Sequence, residues 1–107
     1  MGSFDERERG FERKFEQDQE LAFKMRARRD KLFGLWAAKR LGLTGEAAEA
    51  YARGLAEAVA PKHDDDKLVA KVAGDFAAKK VGIDEVRVRV ELQHFAAEAK
   101  RQLGPPR

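Results

Sequence analysis

The densest group of potential ligand atoms in the chain is His63-Asp64-Asp65-Asp66. An imidazole beside three carboxylates could draw a cation, but a hard divalent ion takes about six oxygens and the neighbouring sequence supplies no others. The aspartates serve equally well as a helix N-cap and as acidic first-turn residues that complement the macrodipole. No metal is expected. The second histidine, His94, is distant in sequence, cysteine is absent, and Ser3 is the single serine. No nucleophile therefore stands beside a base, and hydrolytic catalysis has no machinery. A GxxxxGK[ST] loop to cradle phosphates is also missing. The chain reads as non-enzymatic.

Two other patterns suit binding. Lys24 to Lys31 holds five basic residues and one acid; it could grip nucleic acid, but its interruption by Met25, Ala27 and Asp30 favours a solvated helix face or a protein contact. Before it, Phe4, Phe11 and Phe15 recur at spacings of seven and four, which places them on one helical face with no second apolar row beside them. That stripe is too thin for a core. It is either a solvated face with incidental phenylalanines or a segment that seeks a groove elsewhere, since each ring gains roughly 1.5 to 3 kcal/mol on burial. Three rings yield roughly 5 to 9 kcal/mol, while association costs an estimated 4 to 15 kcal/mol. A partner contact from the rest of the chain must add to the stripe.

The elements that position these residues are helices, because Ala, Glu, Lys, Arg and Leu dominate and strand-type alternation is rare. From Met1 to Glu20 there are four basic and seven acidic residues; followed by the basic stretch, they suit the dipole of one long helix. Gly10 costs that helix about 1 kcal/mol relative to Ala, so residues 1–20 are expected to be partly helical and mobile when free. The apolar cluster Leu32, Phe33, Leu35, Trp36, Ala37 and Ala38 is expected to be packed, with Trp36 in the core. Gly42 should close this helix and Thr44 should cap the second, whose face is Ala47, Ala48, Tyr51, Ala52, Leu55, Ala58 and Val59, ended by Pro61. Asp64 or Asp65 should cap a third, with Leu68, Val69, Val72, Ala73 and Phe76 inward, ending near Gly82. Ile83-Asp84 should open a fourth, with Val88, Leu92, Phe95, Ala99 and Leu103 on one side, until Gly104-Pro105-Pro106. Val86 to Val90 alternates with period two, but a strand there has no second strand to pair with, so helix is expected. The fold class is all-α: a four-helix bundle over 21–104 with a partly mobile N-terminal helical segment over 1–20 and a tail at 105–107.

The 107 residues fit one small domain, and 38% charged residues require much of it to stay solvated. The lack of cysteine fits a reducing cytoplasm. No run is apolar enough for a signal peptide or a membrane span, so neither secretion nor membrane insertion is expected. A net charge of +3 is mild for a nucleic-acid binder.

Phe4 to Phe15 (FDERERGFERKF), Asp18, Glu20-Leu21, Phe23-Lys24 and Ala27 to Gly42 (ARRDKLFGLWAAKRLG), continuing through Thr44-Gly45-Glu46-Ala47-Ala48 and Tyr51, resemble the ATPase inhibitor zeta subunit of alphaproteobacterial F-type ATP synthases. Departures are Gly10 in place of the usual Ala, Asp30 in place of Asn, Phe33 in place of Leu, and a last helix rich in Val and Arg. The resemblance implies a small bundle that docks on the catalytic headpiece of the synthase, in the cytoplasm and peripheral to the inner membrane. It implies that the N-terminal segment inserts between catalytic subunits and blocks rotation in the hydrolytic direction, with Phe4, Phe11 and Phe15 as the stripe and Arg7, Arg9, Arg13 and Lys14 as flanking contacts. Nucleotide binding is associated with the family, but no residues of this chain assign such a site, and no cofactor is expected. Two alternatives are a nucleic-acid module using Lys24 to Arg40 and a helical adaptor for another protein.

Overall fold

The computed structural model describes residues 2–60, 62 and 64–104, with the backbone alone for 2–18. The chain is all-α: α1 spans Gly2–Arg40, α2 Gly45–Val59, α3 Asp65–Ala78 and α4 Glu85–Leu103. The expectations for Pro61, His63, Pro105 and Pro106 lie outside the described residues. Helix α1 packs against α2 and α4, and α3 packs against the same two helices.

Capping residues set most of the boundaries. Gly42 adopts φ +83°, which lets its N–H reach Lys39 O at 3.0 Å and the N–H of Leu43 reach Ala38 O at 2.9 Å, the paired bonds of a Schellman stop. Asp64, rather than Asp65, caps α3, accepting from the N–H groups of Asp66 and Lys67 at 2.9 and 3.3 Å. Asp84 caps α4 through the N–H of Arg87 at 2.9 Å. Thr44 precedes α2 with extended backbone, but its side chain makes no capping bond.

The third helix ends four residues before the expected Gly82. Lys80 takes φ +58°, and the bonds from Lys80 N to Ala77 O and from Val81 N to Phe76 O repeat the Schellman pattern with lysine in the glycine position. The stop is set there because Val81 and Ile83 turn inward against the core. Ile83 before the cap and Val88 in the next turn both belong to that core, as a hydrophobic staple requires.

The core joins Phe33, Ala37, Leu55, Val59, Leu68, Val69, Val72, Phe76, Val88 and Leu92. Trp36 packs against it, stacked on Phe33 with centroids 5.9 Å apart, edge-on to Phe76 at 5.6 Å and tilted against Phe95 at 6.3 Å. The faces of α3 and α4 fall as the spacing predicts. On α2, Ala47 and Ala58 are exposed rather than buried, because the inward arc is only wide enough for Ala48, Ala52, Leu55 and Val59 with Tyr51 at its margin. On α1 the inward row is Phe33, Gly34, Ala37 and Ala38, with Leu32 and Leu35 half-buried at its sides. At Gly34 a Cβ would stand 2.8 Å from both Cα and Cβ of Ala52, so the close approach of α1 to α2 requires glycine.

Candidate partner-binding arm

At about 1.5 Å per residue, the 39 residues of α1 reach about 58 Å, whereas α4, the longest helix beside it, has 19 residues and reaches about 28 Å. Roughly half of α1 therefore runs past anything that could cover it. The longest dimension of the molecule, 66 Å against 23 and 22 Å across, reflects this overhang. All seven candidate positions, Phe4, Arg7, Arg9, Phe11, Arg13, Lys14 and Phe15, lie on the backbone of α1; their side chains are outside the described residues. The helix passes position 20 without a break.

Where the overhang meets the bundle, α1 is fixed by polar contacts. Arg29 Nη1 and Nη2 donate to Asp65 Oδ2 and Oδ1 at 3.1 and 2.8 Å, and its Nε donates to Asp30 Oδ1 at 2.9 Å. The Arg29 and Asp30 side chains are only 11% and 7% exposed. Burial by itself would lower the Arg29 pKa, but the bonds to Asp65 and Asp30 outweigh it and hold the guanidinium above its ordinary value. The fork on Asp65 ties α1 to the first turn of α3, adding a charged link to the Trp36–Phe76 ring contact between the same two helices. At the preceding residue, Arg28 Nη1 donates to Gln102 Oε1 at 2.7 Å, and Gln102 Nε2 donates to Glu98 Oε1 at 3.1 Å. Arg101 and Gln102 together hold the Glu98 carboxyl down at about 2. This chain of bonds fixes the same part of α1 to the last turns of α4.

Reading Lys24 to Lys31 as a solvated or partner-facing stretch therefore missed Arg29. The available signal was phase: Arg29 precedes Phe33 and Ala37 at steps of four, so it continues the inward row of α1. Lys24 pairs with Glu20 at 3.4 Å on the exposed surface, and Lys31 is exposed.

The rest of the surface is less directed. A cleft of about 860 Å³ opens over Trp36 between Arg40, Val81, Ile83 and the first turns of α4. Its charges are largely engaged with one another: Arg87 bonds Glu91 at 3.0 Å, and Asp84 is the α4 cap. Tyr51 donates to Asp75 Oδ2 at 2.7 Å, and Lys71 reaches the other carboxylate oxygen at 3.0 Å. Among the described residues no group of three or more His, Cys, Asp or Glu stands where it could hold a metal, and no helix is long and apolar enough to cross a membrane.

The family model described as ATPase inhibitor subunit zeta matches residues 1–102, which takes in the overhanging half of α1 and all four helices. No curated protein matches the chain.

Proposed function

The chain belongs to the ATPase inhibitor subunit zeta family, and from that premise we propose that it binds the catalytic headpiece of an F-type ATP synthase and inhibits ATP hydrolysis. In this reading residues 1–20 are the inhibitory segment, inserted between catalytic subunits, and residues 21–104 are its anchor. The observation that carries it is the overhang: α1 projects about half its length beyond the helices that pack on it, and that half bears the aromatic stripe.

The physical logic has two parts. Phe4, Phe11 and Phe15 have apolar surface to bury, worth roughly 1.5 to 3 kcal/mol each, and a groove between subunits would bury it. Arg7, Arg9, Arg13 and Lys14 flank them with donors for carboxylates or carbonyls on the groove walls. Inhibition then needs no chemistry in this chain, only a helix held where a subunit must move. The regulator acts in the cytoplasm and reaches the membrane only through the synthase.

The test is ATP hydrolysis by the cognate headpiece with and without added protein. Inhibition by the full chain is expected. Deleting residues 1–15 should leave the bundle folded and abolish inhibition; equal inhibition by the truncated protein would remove the assignment of the arm. Salt-sensitive binding to duplex DNA without binding to the headpiece would favour a nucleic-acid module instead.

A further inference from the structure

Helix α1 carries a second feature on its other side. Lys24, Arg28 and Lys31 follow at i, i+4 and i+7 and, with Phe23, Ala27 and Leu103 of α4, line a shallow hollow of about 320 Å³. No carboxylate lines it; Glu20, one turn back, pairs with Lys24 at 3.4 Å across the exposed surface. Phe23 is 65% exposed and the Lys24 side chain 60% exposed. Arg28 is held at the rim by its bond to Gln102, so its guanidinium is positioned before any ligand arrives. The hollow thus combines an apolar floor with three cations.

Its direction matters. At about 100° per residue, positions 4, 11 and 15 fall within about 20° of the row that continues through Arg29 and Phe33 into the bundle. Lys24 and Lys31 fall about 160 to 180° from that row, with Arg28 about 120° away. One flat partner surface cannot reach both sides of a helix. Something that encloses α1 can.

We infer that this basic hollow is a second docking site, which seats an acidic protein segment of the headpiece on the wall opposite the one that receives the aromatic stripe. The inference rests on the regulator reading and deepens it by naming the chemistry of the second contact: one or more carboxylates for Lys24, Arg28 and Lys31, and a small apolar side chain over Ala27. Nucleic acid fits less well, because three cations release few counterions and the floor is apolar.

The experiment is a fluorescence titration of the full chain against the isolated cognate headpiece at low and high salt. Three proteins are compared: the natural sequence, Lys24→Glu with Lys31→Glu, and Lys24→Gln with Lys31→Gln. Arg28 is left alone because it also fastens α4. Far-UV circular dichroism checks that both variants keep their helix. The natural chain should lose affinity as salt rises, and the Glu pair should bind about tenfold or more weaker at low salt with a flattened salt dependence, the Gln pair falling between. Folded variants with the natural affinity and salt slope would overturn the hollow as a docking site while leaving the regulator reading in place. No binding of the natural chain to the headpiece at all would remove both. Steep salt-dependent binding to duplex DNA that the Glu pair loses would reassign the hollow to phosphate.

Discussion

Tyr51 offers the clearest view of a single group, because it is the one tyrosine in the chain. Burial first, and then the bond to Asp75, push its phenol above the ordinary value of 10.0. A raised folded-state pKa means the neutral form is the one that folding favours. The stability it adds is fully present below about pH 10 and is lost as the pH climbs through the folded value. A near-ultraviolet titration of tyrosinate absorbance should therefore show a midpoint well above that of a free tyrosine, with the Trp36 emission confirming that the bundle is still folded. Asp75→Asn should bring the midpoint down, since it removes the negative charge beside the phenolate, but not all the way, since burial remains. A natural chain that titrates like an exposed tyrosine would contradict the contact. Tyr51 belongs to α2 and Asp75 to α3, so the same titration reports whether those two helices are docked.

At the scale of elements, glycine separates local preference from packing. Gly34 and Gly54 both sit inside helices, where glycine costs about 1 kcal/mol relative to alanine. Gly54 is exposed and a Cβ there meets nothing within 4 Å, so Gly54→Ala should stabilise by about that amount. Gly34→Ala should do the reverse. Its Cβ would meet Ala52 at 2.8 Å, backbone as well as side chain, so α1 and α2 must part, and overpacking of this kind costs about 1 to 3 kcal/mol against a propensity gain of about 1. Urea unfolding followed by Trp36 fluorescence measures both. The contrast also explains how much could be read in advance. Four helices, the inward faces of α3 and α4 and the roles of Gly42 and Asp84 are local patterns, and they were legible. Gly34 was not, because its reason lies on another helix. Arg29 was hidden for the same cause: its partner Asp65 is 36 residues away. Val86, Val88 and Val90 looked strand-like because a strand turns about 180° per residue and would set all three on one face. A helix instead turns about 200° over two residues and sets Val88 opposite Val86 and Val90, and here Val88 is buried while Val86 is 72% exposed. The spacing of Phe4, Phe11 and Phe15 is likewise a pattern local to α1, whereas the groove proposed for it belongs to another molecule.

For the whole molecule the question is what a single unbroken helix gains over a bundle with a loose tether. A tether only raises the local concentration of the segment it carries. A continuous helix also fixes its direction and its rotational phase, because the Arg29 fork and the Arg28–Gln102 bond set the angle of α1 about its own axis where it leaves the bundle. From there the unbroken backbone of α1 carries that phase outward. Ala22 tests this directly. It is exposed and lies between the arm and the fixed part of α1. Proline there removes a helix hydrogen bond and clashes with the preceding turn, at about 3 kcal/mol for a straight helix, so the arm should kink. Trp36 lies about 21 Å further along the axis, so the unfolding free energy of the bundle that it reports should change by no more than about 0.5 kcal/mol. Inhibition of headpiece ATP hydrolysis should weaken by about tenfold or more, since a kinked arm must be straightened or re-aimed before it fits. If Ala22→Pro inhibits as well as the natural chain, the phase of α1 is irrelevant and the arm is a tethered peptide. If inhibition falls while Trp36 reports an intact bundle, the continuity of α1 is itself the functional element.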